Sequence, residues 1–154
     1  MATAVPTHIP SFGRQSVRLL AELRDAHKKL LQAMANLDEL TRGPLPSKAL
    51  IIDARWNISR ASLARRTLWR GIYAHLSGRV SKEDEMDLCR LRDGDLDLLR
   101  SSAAHVSKWQ IEAVVQNWAA YCEASKAIRW KMMAAMGAET RLLYPLLEAV
   151  GPRL

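Results

Sequence analysis

The chain has 154 residues, of which 49% are hydrophobic and 25% charged, a balance typical of one globular domain and not of a disordered chain. Its formal charge is +7, and its two cysteines, Cys89 and Cys122, are too few and too far apart for a disulfide scaffold or a zinc knuckle. No signal peptide and no run of about 20 apolar residues is present, which predicts a cytoplasmic protein that does not enter a membrane.

The excess of positive charge favours contact with an anionic partner. A nucleic-acid-binding domain combines a basic surface with a recognisable reading motif, and no such motif is present. We therefore do not expect binding to nucleic acid. A basic surface module for nucleic acid or an acidic protein is kept as the second alternative function.

The first predicted elements are an arm and a helix. Residues 1–15 contain two prolines and a glycine without an apolar period, which predicts an extended N-terminal arm. A helix is predicted over 16–42, with Ser16 as a plausible N-cap and Gly43 and Pro44 after its end. Its inward stripe follows steps of three and four residues and comprises Leu20, Leu23, His27, Leu30, Met34 and Leu37.

The remaining elements are also predicted to be helical. Ser47 caps a second helix that reaches Ser77, with an inward stripe of Leu50, Ala54, Ala61, Ala64, Leu68 and Ile72. A short extra helix is predicted over 81–92, because Ser81 and Asp84 resemble a capping box. A third long helix is predicted over 95–115, after a break at Gly94, and a fourth over 117–150.

No segment shows the alternation typical of a strand. Four long amphipathic helices with short connections favour an all-α fold, an antiparallel up-down-up-down four-helix bundle. The predicted bundle covers residues 16–150.

The two halves of the chain repeat one pattern. Ala-His occurs in the first helix at His27 and in the third at His105, and a shift of 71 residues aligns Ile-Tyr-Ala-His-Leu at 72–76 with Leu-Tyr-Pro-Leu-Leu at 143–147. This pattern resembles the hemerythrin-like, or HHE cation-binding, family. Each half of that family has a histidine in one helix and HxxxE in the next, followed by Leu-Phe/Tyr-Pro, to which residues 136–148 are similar.

The resemblance implies a degenerate di-iron site. His27, His105 and Glu139 match ligand positions, whereas the other three positions are vacated and hold Ala64, Leu68 and Ala135. Met136, Tyr73 and Tyr144 are expected to line the vacated site. No cofactor is expected, and the three surviving residues would form a buried hydrogen-bonded cluster. A single iron or another divalent cation held by the same three residues is the alternative.

No nucleophile–base pair or phosphate-binding loop is present, so we do not expect an enzyme. The leading hypothesis is a non-catalytic hemerythrin-like protein that acts as a regulatory or partner-binding module, and the first alternative is a metal-dependent sensor or iron-handling protein. Trp56, Trp69 and Trp118 fall partly off the predicted stripes, which suggests a surface for a protein partner. The simpler interpretation is that those tryptophans are semi-buried and pack against loops and the N-terminal arm. His75 is expected to be a partly buried cap or a surface group.

Overall fold

The computed structural model describes residues 11–149. Within that range the regular structure consists of five helices and no strand: α1 Ser11–Thr41, α2 Lys48–Leu76, α3 Lys82–Lys108, α4 Ile111–Gln116 and α5 Trp118–Ala149. The prediction of an all-α fold is therefore confirmed. None of these helices combines the length and the apolar character that a membrane crossing requires.

Helix α1 begins earlier than predicted. The extended arm predicted over 1–15 is helical from Ser11 onward, while residues 1–10 lie outside the described part of the chain. Ser16 is not an N-cap but lies inside the helix, where its hydroxyl donates to the Phe12 carbonyl at 3.1 Å. Phe12 stacks on His75 of α2 with 4.0 Å between ring centroids. A local sequence pattern does not reveal this contact, because the two residues lie far apart in the chain.

The stripe predicted for α1 is confirmed, whereas that of α2 is largely wrong. All six α1 residues are buried. On α2, Ala54 and Ile72 are buried as predicted, but Leu50 is 52% exposed and Ala64 is also exposed. The buried face instead lies on Ile51, Ala54, Ile58, Ser62, Arg65, Trp69, Ile72, His75 and Leu76. Helix α2 carries apolar residues on two faces, so periodicity alone does not identify the inner one.

The ends of α2 follow the predicted capping chemistry. The Ser47 hydroxyl accepts a hydrogen bond from the Leu50 amide, as an N-cap should. After Leu76 the chain turns at Gly78, whose φ of 77° lies in the left-handed region that glycine adopts without strain.

Helix α3 is continuous from Lys82 to Lys108, so the predicted short helix over 81–92 and the break at Gly94 are wrong. The Ser81 hydroxyl accepts from the Asp84 amide at 3.1 Å, which confirms the helix start. One glycine inside a helix costs about 1 kcal/mol, and packing of α3 on α5 offsets that cost. Within the described residues the short helix is instead α4, which begins after the buried Trp109.

The apolar core is divided into three clusters along the helices. Helix α1 packs on α2 and α5, and α3 packs on α5. The first cluster comprises Leu19, Leu20, Leu23, Trp69, Ile72, Leu76, Leu88, Leu143 and Leu147. The second comprises Leu30, Ala33, Met34, Leu37, Ala54, Ile58, Leu98, Ile128, Met132 and Met136. The third comprises Ile51, Trp109, Val114 and Tyr121.

Candidate functional site

A buried polar network separates the first cluster from the second. Its centre is Glu139 on α5, whose side chain is 2% exposed. Glu139 Oε2 accepts from His27 Nε2 of α1 at 2.5 Å, and Glu139 Oε1 accepts from Arg65 Nη1 of α2. The other guanidinium nitrogen of Arg65, Nη2, donates to Asp95 Oδ1 of α3 at 2.7 Å. The network therefore contains one residue from each of the four long helices.

The sequence places His27 and Glu139 at one level by simple helical spacing. His27 lies four residues after Leu23 of the first cluster and three before Leu30 of the second. Glu139 lies three residues after Met136 and four before Leu143. Residues three and four apart share a helix face, so the polar groups point into the same core as their apolar neighbours.

The proton positions follow from the partners of His27. An ionised carboxylate only accepts hydrogen bonds, so His27 Nε2 carries a proton that it donates to Glu139. The other ring nitrogen, Nδ1, lies 2.8 Å from the Tyr144 hydroxyl. In the neutral imidazole Nδ1 accepts from Tyr144, and in the imidazolium it donates to the same oxygen. Both nitrogens of His27 are thus engaged.

Each oxygen of Glu139 has a charged or polar partner, and this is what allows the carboxylate to be buried. An unpaired buried charge costs several kcal/mol, whereas a paired and hydrogen-bonded one recovers most of that cost. The Arg65 side chain is 3% exposed and lies between the two acids Glu139 and Asp95. Arg65 therefore supplies the positive charge that the two carboxylates share.

The structure brings together two of the three residues assigned to the surviving metal ligands. His27 and Glu139 are in direct contact, but His105 is elsewhere. His105 stacks on Tyr121 with 5.9 Å between ring centroids. Tyr121 precedes Glu139 by 18 residues in α5, which corresponds to about 27 Å along the helix. Burial, followed by the nearby charge of Arg55, lowers the pKa of His105 below its usual value.

The three positions interpreted as vacated ligands do not converge on one site. Ala64 is exposed, and Leu68 is half-buried against the first cluster. Ala135 is half-buried and lines a groove of about 710 Å³ between α3 and α5. The residue that faces Glu139 from α2 is Arg65, one position after Ala64. A buried glutamate requires a cationic partner, but α2 contains five arginines, and spacing alone does not select Arg65.

A hemerythrin-type metal centre does not fit this arrangement. Both nitrogens of His27 and both oxygens of Glu139 are engaged by protein groups, and the Arg65 guanidinium faces the carboxylate where a cation would have to bind. Among residues 11–149 no three His, Cys, Asp or Glu side chains cluster at metal-binding distances. A metal would first have to displace Arg65.

The residues expected to line the vacated site have separate surroundings. Met136 is buried in the second cluster. Tyr73 packs against the first cluster, and its hydroxyl accepts from Arg92 Nη1 at 3.1 Å. Tyr144 contacts His27 and lines a shallow surface groove with it. These three residues therefore share no common pocket.

His75 is buried rather than a surface group, and it joins the start of α1 to the end of α2. Its Nε2 lies 2.7 Å from the Ser16 hydroxyl. Because that hydroxyl donates its single proton to the Phe12 carbonyl, it accepts from His75. The Arg79 guanidinium also lies over the Phe12 ring, 4.6 Å from its centroid.

Comparison with known proteins gives no relative from which a function can be transferred. No protein-family model, curated protein or solved structure matches the chain.

Proposed function

We propose that this protein is a non-catalytic bundle of hemerythrin-like architecture in which Arg65 takes the role of a metal ion, and that it acts as a regulatory or partner-binding module. The observation that carries this proposal is the position of Arg65 between Glu139 and Asp95. A guanidinium with a fixed fork of donors neutralises carboxylates that would otherwise need a bound cation.

The contacts between helices support an antiparallel arrangement. Along α1 and α5, Arg24 pairs with Glu148, His27 with Tyr144 and Asp38 with Arg129, so one helix ascends as the other descends. Ser16 near the start of α1 contacts His75 near the end of α2. Tyr73 near the end of α2 contacts Cys89 near the start of α3. These pairings are the ones that an up-down-up-down bundle would make.

The outer face of α2 is the best candidate for a partner surface. Ile52, Trp56 and Leu63 are 50%, 62% and 58% exposed at helical spacing on that face, which we call the Trp56 face. The other two tryptophans considered for this role are used within the fold. Trp69 is buried in the first cluster, and Trp118 Nε1 donates to the Gly43 carbonyl at 3.1 Å. Exposed tryptophan and arginine side chains frequently anchor protein interfaces.

Metal analysis tests the central part of the proposal. Protein purified without chelators and then dialysed against iron, zinc and manganese in turn should retain far less than one ion per chain. His27→Ala should leave that content unchanged. Near-stoichiometric iron that is lost in His27→Ala or His105→Ala would overturn the proposal in favour of a metal-dependent sensor.

Site-specific variants test the partner surface. Trp56→Glu should abolish recovery of any protein that crosslinks to the chain in cells. Trp130→Glu is the matched control, because Trp130 is 64% exposed but lies on α5, away from the Trp56 face. Equal loss in both variants, or loss in neither, would argue against the Trp56 face.

A further inference from the structure

A cavity of about 290 Å³ is lined mainly by α2, α3 and α5, and also by Leu30 and Leu37 of α1, next to the second apolar cluster. Its walls are largely apolar and include Ile58, Leu98, Ile128 and Met132. Helices α2 and α3 approach each other less closely than α1 approaches α2 or α5, and the cavity occupies the space that they leave. A concave, mostly apolar site with a few polar groups is the usual form of a small-molecule pocket.

Two buried hydroxyl groups lining this cavity have no partner within the described part of the protein. They are Ser62 Oγ, on a residue that is 9% exposed, and the hydroxyl oxygen of Tyr121, which is 0% exposed. Ser125 lies near the Tyr121 hydroxyl, but no hydrogen bond of normal geometry joins the two side chains. A buried hydroxyl without a partner costs about 1–3 kcal/mol, so a ligand atom that forms a hydrogen bond with either group would recover that cost.

The ionisable side chains that line the cavity are mainly basic. Four arginines and His105 line it, and no aspartate or glutamate does. Two of the arginines are neutralised, since Arg65 binds Glu139 and Arg129 binds Asp38 at 2.8 Å. Arg55 and Arg66 form no ion pair with any residue in 11–149. Such a lining selects an anionic group over a cationic one.

The Arg55 end of the cavity is the better site for that anion. Arg66 is already attracted by Asp95, whereas Arg55 lies over the Tyr121 ring, 5.6 Å from its centroid. Burial raises the pKa of Tyr121, so its hydroxyl remains a hydrogen-bond donor. A guanidinium and a phenol at one end match the acceptors of a single carboxylate. Ser62 lies seven residues further along α2, or about 10 Å, and marks the far end of the apolar stretch.

We propose that this cavity binds an amphipathic monocarboxylate, with its carboxylate on Arg55 and the Tyr121 hydroxyl and its apolar body along Ile58, Leu98 and Ile128. An apolar cavity of about 150 Å³ is sufficient to hold benzene, so one of about 290 Å³ has room for a medium alkyl chain or a substituted ring. The proposal goes beyond the proposed function. Arg65 borders both the cavity and the buried network, but the ligand contacts proposed here are made by Arg55, Tyr121 and the apolar walls and do not involve Glu139 or His27.

Calorimetric titration with octanoate and with 3-phenylpropionate tests the ligand class and distinguishes a linear from an aromatic body. Octanol, which has the same chain without the charge, should bind at least tenfold more weakly than octanoate. Arg55→Gln should weaken carboxylate binding about tenfold or more, because it removes a charged hydrogen-bond donor. Arg60→Gln, a change at an exposed arginine of the same helix, should leave the affinity unchanged.

A second variant tests the cavity itself. Ser62→Leu replaces an unpartnered hydroxyl by a side chain that fills the space, so it should abolish binding while circular dichroism shows a folded protein. Binding of neither carboxylate at millimolar concentration would overturn the proposal. Equal affinity for octanol and octanoate, or an unchanged affinity in Arg55→Gln, would overturn it as well.

Discussion

Arg65 and Glu139 lie 74 residues apart in the chain and form an ion pair in which both side chains are almost completely buried. The second guanidinium nitrogen of Arg65 holds Asp95, and the second carboxylate oxygen of Glu139 holds His27. The charges are therefore compensated within the protein. Each of the four residues depends on its neighbours for its own burial.

Removal of Arg65 should be strongly destabilising. Arg65→Met deletes the positive charge while retaining most of the apolar stem, and it leaves the Glu139 carboxylate buried with His27 as its remaining partner. Breaking one side of a buried pair costs about 3–5 kcal/mol. Urea denaturation followed by circular dichroism should show a loss of this size in the free energy of unfolding.

Two further variants distinguish this effect from a general sensitivity to arginine loss. The double change Arg65→Met with Glu139→Met should recover much of the stability, because the deeply buried carboxylate is removed and only Asp95, which is partly open to water, loses its partner. Arg24→Met removes an exposed ion pair with Glu148 and should cost about 1 kcal/mol or less. A cost of Arg65→Met no larger than that of Arg24→Met would contradict the proposed role of Arg65.

Two glycines should respond in opposite directions to alanine. Gly94 is exposed inside α3, and a Cβ added there meets open space, so Gly94→Ala should stabilise the protein by about 1 kcal/mol through helix propensity. Gly78 also has free space, but its φ of 77° strains any other residue, so Gly78→Ala should cost about 1 kcal/mol. Thermal melting measures both, and a destabilising Gly94→Ala would show that the glycine is required.

Stability should fall in mildly acidic solution because of His75. Burial first, and the charge of Arg79 second, lower the pKa of His75 from its ordinary 6.5. A group whose pKa is lower in the folded state binds protons more readily when unfolded. The contribution of His75 to the free energy of unfolding is therefore complete above about pH 6.5 and is lost as the pH falls through its pKa in the folded state. Denaturation midpoints between about pH 8 and pH 5 should decline. His75→Gln should make that decline smaller, and His105, whose pKa is also lowered, accounts for the part that remains.

The partners of two buried serines should determine the effect of deleting their hydroxyls in ligand-free protein. Ser125 Oγ accepts from Arg129 Nε at 3.3 Å, so Ser125→Ala should cost about 1 kcal/mol. Ser62 Oγ has no such partner, so Ser62→Ala should be neutral or stabilising. Helix propensity favours alanine equally at both sites and cancels in the comparison. A greater loss for Ser62→Ala would indicate that its hydroxyl is satisfied.

The sequence predicted the helices well where one face alone is apolar. The outer positions of α1, such as Arg18, Glu22 and Asp25, are charged, so one stripe remains and its burial follows. Helix α2 was harder, because Ile52, Trp56 and Leu63 form a second apolar face. Which of two apolar faces is buried depends on the side chains that the neighbouring helices present, and the periodicity of one helix contains no information about them.

The site could be predicted only in part for a related reason. His27 stood out as a histidine in an apolar stripe, and Glu139 was assigned through the resemblance to the HxxxE pattern. The two side chains do meet. Arg65 did not stand out on a helix rich in arginine. His105 shares a local pattern with His27, but its position along α3 places it beside Tyr121, and a repeat in sequence carries no information about that distance.

The buried charges also restrict how the helices can slide against one another. Leucine-lined helices can exchange one set of apolar contacts for another after a shift of one turn, about 5.4 Å, at moderate cost. Here such a shift would carry Glu139 away from His27 and Arg65 together and leave three polar groups unpaired in an apolar layer. The network thus fixes the position of the helices relative to one another. Misregistered packings formed during folding leave buried charges unpaired, so they should be too unstable to persist.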